Sequence, residues 1–488
     1  MISIRPVGSI NPAELLEDAD GHIVFVLEHD ALRSGAFDVI ESALEGAPDL
    51  VIAYGNESWR NPNGLVPVRS WKPVWSPERL RGQDFVGFPV VMSRSLIRAV
   101  GGIRTELGDL ALYDLVLRAS EHAECVVRMP EVLHHTDQPC SWGRVDSDHD
   151  TEIRQRVIQE HLDRLGIDAV ARTGCVWQTR IDRKLLEQPL VSIVIPTAGT
   201  MKRVWGRDTV LVEDCIRSVL DRSSYSNIEI VVVHDVSTVD EGLLDRLDRL
   251  VGDRLRCVPF AGEFNFSEKV NRGAIKSSGD ILILLNDDTL VVSPGWIEEL
   301  VGHLQEPDVG IVGPKLLLGD GRIQSAGHFF SDGASHVAAG YSKDEFGPEF
   351  ELAVAAERSG ITMACAAMRR DVFGQVGGLS VELPRAYNDV DFCNKLAAAG
   401  FRMVWTPWVE LYHFESLSRD PTVSAFEVDL MADRWGTLAY SPDEYLPHFD
   451  IRLAGVNYIA ETDPTFASSV GESIDSMGIS GAPLPRRG

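Results

Sequence analysis

The sequence has few cysteines, no long apolar run and few basic residues for its size. Its seven cysteines are scattered and none forms a C-x-x-C pair, so neither a disulfide framework nor a zinc site is indicated. No apolar run approaches the roughly 20 residues that cross a bilayer. Residues 1–17 lack the basic start and apolar stretch of a secretory signal. We therefore expect reduced, buried thiols and a cytoplasmic location.

The charge balance is strongly acidic. The chain has 46 Lys and Arg against 73 Asp and Glu, for a formal net charge of −27. Phosphate-backbone binding needs concentrated basic residues, so nucleic acid is excluded as a partner. An acidic chain is not drawn to an anionic membrane surface either. A nucleoside diphosphate would be repelled unless a cation bridged the negative charges, which is a first indication of metal dependence.

The chain of 488 residues is long enough for more than one hydrophobic core. Residues 1–150 alternate strand-like and helix-like segments. In residues 151–189, apolar residues spaced for one helix face predict a helical connector. Residues 190–440 have the most regular pattern, and residues 441–488 form a C-terminal extension whose Ser-, Gly- and Pro-rich end predicts a flexible tail.

Residues 190–440 alternate β-branched or Leu-rich runs with amphipathic segments, which predicts an α/β fold. The sheet is expected to be mostly parallel and Rossmann-like, with helices on both faces. The predicted strands are Val191–Pro196, Ile228–Val233, Leu255–Phe260 and Ile281–Leu285, and the predicted helices are Asp208–Arg222 and Ser267–Ser278. Ligands bind such sheets at the carboxyl ends of the strands.

Polar residues follow these strands. Pro196 and Thr197 end the first strand, Asp235 follows the second, and Asp287 and Asp288 follow the run ILILL. A carboxylate pair at a strand end suits Mg²⁺ or Mn²⁺, which prefer oxygen ligands and share them with phosphates. The alternative is a solvated turn, since Asn and Asp favour turns.

Two later residues carry a further hypothesis. Asp389 opens a helix-like run, where its carboxylate could cap the helix or could act as a general base. His413 follows a short strand-like segment between aromatic residues. A histidine in such a place is more often structural than a ligand, but imidazole suits an ion such as Mn²⁺ where carboxylates are already present.

Taken together, the motifs resemble glycosyltransferase family 2, whose members have the GT-A fold. The resemblance covers roughly residues 190–435, and it is most similar to bacterial transferases that build surface polysaccharides, including rhamnosyltransferase-like members. The motifs in order are VSIVIPT, HDVS, FNFSEKVNRGAIKSSGDILILLNDDT, PGWIEEL, VGPKLLLGDGRIQSAG, RRDVFGQVGG, YNDVDFCNKLAAAGFRMVWTP and ELYHFESLSRD. Each is short, and their order and spacing make the resemblance specific.

The resemblance implies a role for each motif residue. Asp288 and His413 would hold the metal, Mn²⁺ or Mg²⁺, and Asp389 would be the catalytic base of an inverting transfer. Asn286 departs from the family's D-x-D motif by replacing its first acid. The nucleotide-sugar, expected to be a UDP- or dTDP-sugar, would be bound by Pro196, Thr197, Asp235, Asn271 and Asp287.

The family pattern recurs, damaged, in residues 1–150. The D-x-D place reads Glu28-His29-Asp30, and the place of the catalytic acid is Leu112, which cannot accept a proton. His135 falls in the place of the histidine. The copy starts halfway through the family pattern, without room for the opening nucleotide-binding strands. These features predict a truncated, degenerate GT-A-like domain that is inactive and serves scaffolding, assembly or acceptor holding.

The implied acceptor is a hydroxyl of a saccharide or of a lipid-linked saccharide, and the latter would place the protein at the inner membrane face. Residues 331–360 have few strand signals and predict an acceptor loop or lid. Family synthases that work processively carry membrane spans and a Q-x-x-R-W motif. Here that motif reads MADRW, which predicts few additions per encounter. Two alternatives remain: a sugar-phosphate nucleotidyltransferase, and an inactive carbohydrate-binding or scaffold protein.

Overall fold

The structure is a computed structural model of the chain. It describes residues 2–6, 11–15, 20–27, 31–59, 68–136, 148–173, 178–330, 333–414, 423–436, 443–447, 449–450 and 457–458. The D-x-D place of the first copy (residues 28–30) and the predicted tail from residue 463 lie outside the described residues.

The first part of the chain forms one sheet with flanking helices. Its elements are β1 (Ile2–Pro6), α1 (Pro12–Leu15), β2 (His22–Val26), β3 (Ala31–Leu32), α2 (Ala36–Leu44), β4 (Val51–Trp59), β5 (Val68–Ser70), α3 (Pro77–Gly82), β6 (Val90–Ser93), α4 (Arg94–Ala99), α5 (Ala111–Ser120) and β7 (Cys125–Thr136). We call this sheet and its helices the first unit.

The connector is only half helical, which corrects the sequence-based prediction. A helix, α6 (Asp148–Arg164), is followed by the antiparallel hairpin of β8 (Ala169–Thr173) and β9 (Thr179–Arg183). Alternating burial in both strands shows why. Ala169, Ala171 and Ile181 face the core of the first unit, which is the period of two that a strand requires.

The remaining elements form the second unit. They are β10 (Val191–Thr197), β11 (Met201–Val204), β12 (Arg207–Val210), α7 (Leu211–Arg222), β13 (Ile228–Asp235), α8 (Glu241–Val251), β14 (Leu255–Phe260), α9 (Phe266–Lys276), β15 (Ile281–Leu285), β16 (Thr289–Val291), α10 (Trp296–Leu304), β17 (Val309–Leu317), β18 (Ile323–Ser325), β19 (His328–Phe330), β20 (Ala334–His336), β21 (Ala356–Glu357), β22 (Cys365–Arg369), α11 (Arg370–Gln375), α12 (Asn388–Ala398), β23 (Arg402–His413), α13 (Ala425–Trp435), β24 (Phe449–Asp450) and β25 (Asn457–Tyr458).

The second unit is built on a 10-stranded sheet whose main order is β14-β13-β10-β15-β22-β17-β23-β16. The strands β14, β13, β10 and β15 are parallel to one another. β22 is antiparallel to β15 and to β17, so β17 and its parallel partner β23 run in the direction of β15. The prediction of a mostly parallel α/β sheet is confirmed.

Both faces of this sheet are covered, which explains the unbroken apolar runs in its strands. Ile193 and Ile195 of β10 pack in one core with residues of α7, α8 and α10. Val194, on the opposite face, packs in a second core with residues of α9, α11 and α12. Gly273 allows α9 to lie close to the sheet, since a Cβ there would be 2.9 Å from Cγ2 of Val233.

The first unit repeats the strand pattern of the second. Its main order, β1-β2-β6-β4-β7-β3, has the same sequence of parallel and antiparallel pairings as β10-β15-β22-β17-β23-β16. β1 therefore occupies the place of β10, and one opening strand is present where the sequence analysis expected none. In the described part of the first unit, no strand takes the places of β13 and β14.

Three local features differ from the sequence-based expectation. The helix predicted from Asp208 begins at Leu211, because residues 207–210 form β12 of a hairpin. The short strand-like segment before His413 is the end of the 12-residue strand β23, which includes His413. The described residues of the predicted loop 331–360 include β20 and β21. In the described parts of the chain, no helix is long and apolar enough to cross a membrane.

Candidate functional site

The carboxyl ends of β10 and β15 bring two predicted residues into direct contact. Thr197, the last residue of β10, donates a hydrogen bond from Oγ1 to Oδ2 of Asp287 over 2.6 Å. Pro196 precedes it and pairs with Val233 in the sheet register. Thr197 and Asp287 are buried at 3% and 5% exposure. The ends of β10 and β15 therefore lie together as predicted, and a direct hydrogen bond joins them.

An ion pair lies at the end of β13. Asp235 was predicted from the sequence, whereas its partner Lys269 was not. Oδ2 of Asp235 lies 2.6 Å from Nζ of Lys269, which α9 presents from a buried position. The ammonium also lies 5.4 Å from the ring centroid of Phe260. A lysine on the apolar face of a helix was the available signal, because burying its charge requires a partner. Lys269 therefore belongs to the site together with Asp235.

Asn271 has a structural role in this structure. Its Nδ2 donates to the carbonyl of Leu379 over 2.8 Å, and its Oδ1 accepts from the Leu379 amide over 2.9 Å. These two bonds fix the loop after α11 against α9. A contact between Asn271 and a nucleotide stays a prediction.

The carboxyl group of Asp287 is poised to titrate near neutrality. Burial, together with the negative charge of Asp288, raises its pKa to about 7, although the Thr197 hydrogen bond and the charge of Lys269 oppose the shift. A carboxyl group with this pKa is partly protonated at pH 7, and a nearby divalent cation would favour its ionised form.

Proton release on ligand binding is the expected consequence. Near pH 7, calorimetric binding of a nucleoside diphosphate with Mn²⁺ should release a fraction of a proton, so the measured heat should depend on the ionisation enthalpy of the buffer. The release should vanish near pH 9, where Asp287 is already ionised, and affinity should fall as the pH drops below 7. Buffer-independent heats at pH 6.5 would contradict this expectation.

The imidazole of His413 lies among three polar side chains at the end of β23. Nδ1 lies 2.7 Å from Oε1 of Gln324, which can only accept, so Nδ1 carries the proton. In the neutral imidazole Nε2 then carries the lone pair, and Nδ2 of Asn286, which can donate to it, lies 3.3 Å away. Oδ1 of Asp288 is 3.2 Å from the same Nε2. A neutral His413 and an ionised Asp288 both present lone pairs here, and a divalent metal ion is one partner that would satisfy both.

A divalent metal fits this pair. Ligands at about 2.1 Å from an octahedral ion lie about 3 Å apart when adjacent, close to the separation of Asp288 Oδ1 and His413 Nε2. Within the described residues no group of three or more His, Cys, Asp or Glu side chains could hold a metal. Two protein ligands are sufficient where phosphates and waters supply the others, as is usual for Mg²⁺. Gln324, which fixes the tautomer of His413, was not found from the sequence.

Asp389 stands in the first turn of α12, where the sequence placed it. Tyr387, two residues before Asp389, has a positive φ of 58°. This backbone conformation directs the chain into α12. Glu427 holds the segment before it, since Oε1 accepts from the amides of Arg385 and Ala386 over 3.0 and 2.9 Å. The Asp389 carboxylate keeps 21% exposure, so it is accessible to a substrate.

Asp391, two residues further along α12, has a structural role instead. It is fully buried, and Arg434, Trp435 and Lys395 all bind its carboxylate. Burial alone would raise its pKa, but these hydrogen bonds outweigh burial and lower it. The Arg-Trp pair at the end of α13 therefore anchors that helix to α12.

One short segment joins the metal side to the base side. Gln324 of β18 contacts His413, and four residues later Nε2 of His328 in β19 lies 3.9 Å from Oδ2 of Asp389. The motif IQSAGH therefore spans from the metal pair to Asp389.

The described residues of the first unit repeat structural parts of this pattern, with a leucine in the place of Asp389. In α5, Leu112 is buried, whereas Asp114 binds Arg104 and Arg118 much as Asp391 binds its cations. His135 pairs with Ala31 between β7 and β3, as His413 pairs with Thr289 between β23 and β16. His135 is exposed and contacts the Ser58 hydroxyl. Inactivity of the first unit stays a prediction.

Two known bacterial proteins are similar to most of this chain in sequence. The chain is 32% identical over 481 residues to the uncharacterized protein y4gI of Sinorhizobium fredii, covering 92% of this chain and 51% of that protein. It is 30% identical over 407 residues to the O-antigen biosynthesis protein RfbC of Myxococcus xanthus, covering 81% of this chain and 31% of that protein. The chain thus spans about half and about a third of these relatives.

A solved structure of GalNAc-T7 with UDP, GalNAc and Mn²⁺ aligns with 51% of this chain and 49% of its own, with a TM-score of 0.38 and 15% identity. The family model described as Glycosyltransferase like family 2 matches residues 188–436. That match covers the whole sheet of the second unit and each residue of the candidate site. The chain belongs to the Glycosyltransferase like family 2.

Proposed function

We propose that the second unit transfers a sugar, with inversion, from a nucleotide-diphosphate sugar to a hydroxyl of a saccharide or lipid-linked saccharide. One observation carries the proposal. Asp288 and His413 form a pair suited to hold a metal ion, and the segment IQSAGH connects this pair to the carboxylate of Asp389 on α12. Similarity to an O-antigen biosynthesis protein supports surface polysaccharide as the product class.

In the proposed reaction, Asp389 accepts the proton of the acceptor hydroxyl. The hydroxyl oxygen forms a bond to the anomeric carbon while the bond from that carbon to the diphosphate breaks on the opposite face. A metal held by Asp288 and His413 would neutralise charge on the departing diphosphate. Thr197 orients Asp287, and Asp235 with Lys269 lines the nucleotide side. UDP- or dTDP-sugars are the expected donors.

Metal-dependent nucleotide binding is the first test. We expect calorimetric titration with UDP, dTDP, GDP and CDP to show binding of one nucleotide with Mn²⁺ or Mg²⁺ and none with chelator. Asp288→Ala should abolish it, because Asp288 is the single carboxylate of the pair. Asp245→Ala, which removes an exposed carboxylate on α8, is the matched control and should bind normally.

The same titration separates the alternatives. Absence of binding by every nucleotide in a folded sample would favour a scaffold that has lost its site. Pyrophosphate release from a nucleoside triphosphate and a sugar phosphate would instead indicate a nucleotidyltransferase. Transfer to the acceptor with retention of anomeric configuration, read by NMR of the product, would contradict the inverting role of Asp389.

A further inference from the structure

A buried histidine lies beside the proposed base, Asp389, and has no role in the proposed reaction. His328 of β19 is 4% exposed, and its Nε2 lies 3.9 Å from Oδ2 of Asp389. Its backbone amide donates to the carbonyl of Gly360 over 2.7 Å. The approach is tight, since a Cβ at Gly360 would lie 3.3 Å from the His328 Cβ. The strand therefore holds His328 against the base.

A second histidine fixes the ring from its other side. The rings of His328 and His336 lie 4.7 Å apart between centroids. The Ser325 hydroxyl donates its one proton to the carbonyl of Gly327, so it accepts from Nδ1 of His336, which lies 2.9 Å away. His336 is thereby held in place, and its ring packs beside that of His328.

His328 is neutral, and its proton is placed by its neighbours. Burial lowers its pKa, although Asp389 opposes that shift. Nδ1 has no hydrogen-bond partner in the described part of the chain. The Asp389 carboxylate faces Nε2, which favours a proton on that nitrogen. The Nε2–H group thus points towards the carboxylate across a gap too long for a direct hydrogen bond.

The width of this gap matches one hydroxyl group. An oxygen atom can lie about 2.8 Å from both Nε2 of His328 and Oδ2 of Asp389 when those atoms are 3.9 Å apart. A hydroxyl there could donate its proton to the carboxylate and accept from the imidazole at the same time. We propose that His328 and Asp389 form a two-point subsite that binds the reacting hydroxyl of a saccharide acceptor. This inference rests on the proposed function and adds an acceptor-binding residue to it.

The subsite assigns separate tasks to its two members. Asp389 takes the proton, whereas His328 fixes the oxygen so that its lone pair is directed at the anomeric carbon. The two residues come from β19 and α12, which belong to distant parts of the sequence. A substrate without a hydroxyl at the reacting position would leave the buried N–H of His328 unpaired, which discriminates against it.

Two variants and one control test the inference. His328→Leu removes the donor, whereas His328→Gln keeps an N–H group near the place of Nε2. His161→Gln is the control. It replaces another buried histidine, which lies in α6 of the connector and contacts Glu121. With octyl glycosides of hexoses and deoxyhexoses as acceptors, His328→Leu should lower kcat/KM for the acceptor about 10- to 100-fold, chiefly through KM. The Gln variant should recover most of the loss, and His161→Gln should match the wild type.

Nucleotide binding provides the second readout. Metal-dependent binding of the nucleotide should be unchanged in both His328 variants, whereas a general loss of structure would weaken it. Wild-type kcat/KM in His328→Leu, or a failure of Gln to restore more activity than Leu, would overturn the subsite while leaving the proposed transferase in place.

NMR of the histidine side chains tests the subsite without a substrate, and it applies where none of the glycosides serves as an acceptor. In ¹⁵N-histidine-labelled wild-type protein, the His328 signals, assigned by their absence in His328→Gln, should show a proton on Nε2. The same signals in Asp389→Asn should shift because the carboxylate facing Nε2 is gone. A proton on Nδ1 in the wild type would overturn the subsite. Failure of all acceptors and nucleotides would count against the proposed function instead.

Discussion

Asp389→Asn should leave the protein folded and able to bind nucleotide with metal, yet reduce sugar transfer by 10²–10⁴-fold, the typical worth of a positioned general base. This corresponds to about 3–5 kcal/mol in the activation barrier. The amide keeps the shape of the side chain and its place in the first turn of α12, but it cannot accept the acceptor proton. Initial rates with saturating nucleotide-sugar, beside calorimetric nucleotide binding, separate these effects.

The matched control is Asp371→Asn. Asp371 also lies in the first turn of a short helix, α11, but its side chain is 80% exposed. If a carboxylate at a helix start mattered only for stability, the two variants would behave alike. Near-normal transfer by Asp389→Asn would exclude Asp389 as the base, and equal loss in Asp371→Asn would point to a folding effect.

The strand-end residues could be predicted because a single rule places them. Once VSIVIPT, IEIVVV and ILILL are taken as parallel strands, Thr197, Asp235 and Asp287 must lie at one edge of the sheet. The structure adds the contact itself, a hydrogen bond from Thr197 to Asp287. The unbroken apolar runs were informative here because both faces of the sheet are buried.

The residues that support the site could not be predicted in this way. Gln324 reaches His413 only because β18 and β23 both pair with β17, and no local pattern in the sequence specifies that arrangement. Glu427 caps its own helix and also binds the amides before Asp389, 41 and 42 residues earlier in the chain. Such long-range side-chain contacts have no periodic signature.

Local sequence signals were misleading at two places. Trp205-Gly206 forms a hairpin turn with positive φ at both residues, 45° and 79°, and a tryptophan seldom occupies such a position. The hairpin therefore looked like the start of the following helix. The short strand-like segment before His413 likewise gave no sign that β23 begins at Arg402 and continues past Pro407 through a shift in its register against β17.

The contact between the two units is the second feature with a large expected effect. Glu78 of α3 binds Arg81 within the first unit and Arg183 of β9, at 3.0 and 2.6 Å. The same two arginines bind Glu306 of the second unit at 2.9 and 2.8 Å. Glu78 is 2% exposed. Burial of Glu78 opposes ionisation, but Arg183, His303 and Arg81 outweigh it and hold its pKa well below the usual range.

This cluster also reaches the segment that supports His328. Arg402 joins Glu306 to Glu357 of β21, at 3.1 and 2.7 Å, and the start of α3 is bound by the Glu357 carboxylate. Glu357 lies three residues before Gly360, whose carbonyl holds the backbone of His328. These contacts connect the first unit to the segment that holds the backbone of His328, and a scaffolding role for the first unit stays a prediction.

Glu78→Ala should lower the free energy of unfolding by about 3–5 kcal/mol, because it leaves Arg183 and Arg81 buried with one carboxylate between them. Urea unfolding followed by tryptophan fluorescence measures the loss. Because the folded pKa of Glu78 is depressed, its stabilisation is present above the unfolded value near 4.5 and is lost as pH falls towards the folded value. The difference between wild type and variant should therefore shrink below pH 4.

The double variant Glu78→Leu with Arg183→Leu is the matched control. It removes one charge of each sign and leaves Arg81 and Arg402 with Glu306 and Glu357, so no buried charge is unpaired. Replacing a buried ion pair by apolar residues is often neutral, and its cost should be well below that of Glu78→Ala. If Glu78→Ala cost no more than Glu268→Ala, which removes an exposed ion pair on α9, the cluster would not hold the two units together. A loss of transfer that accompanied the loss of stability in Glu78→Ala, but not in the double variant, would show that the first unit acts on the site through this cluster.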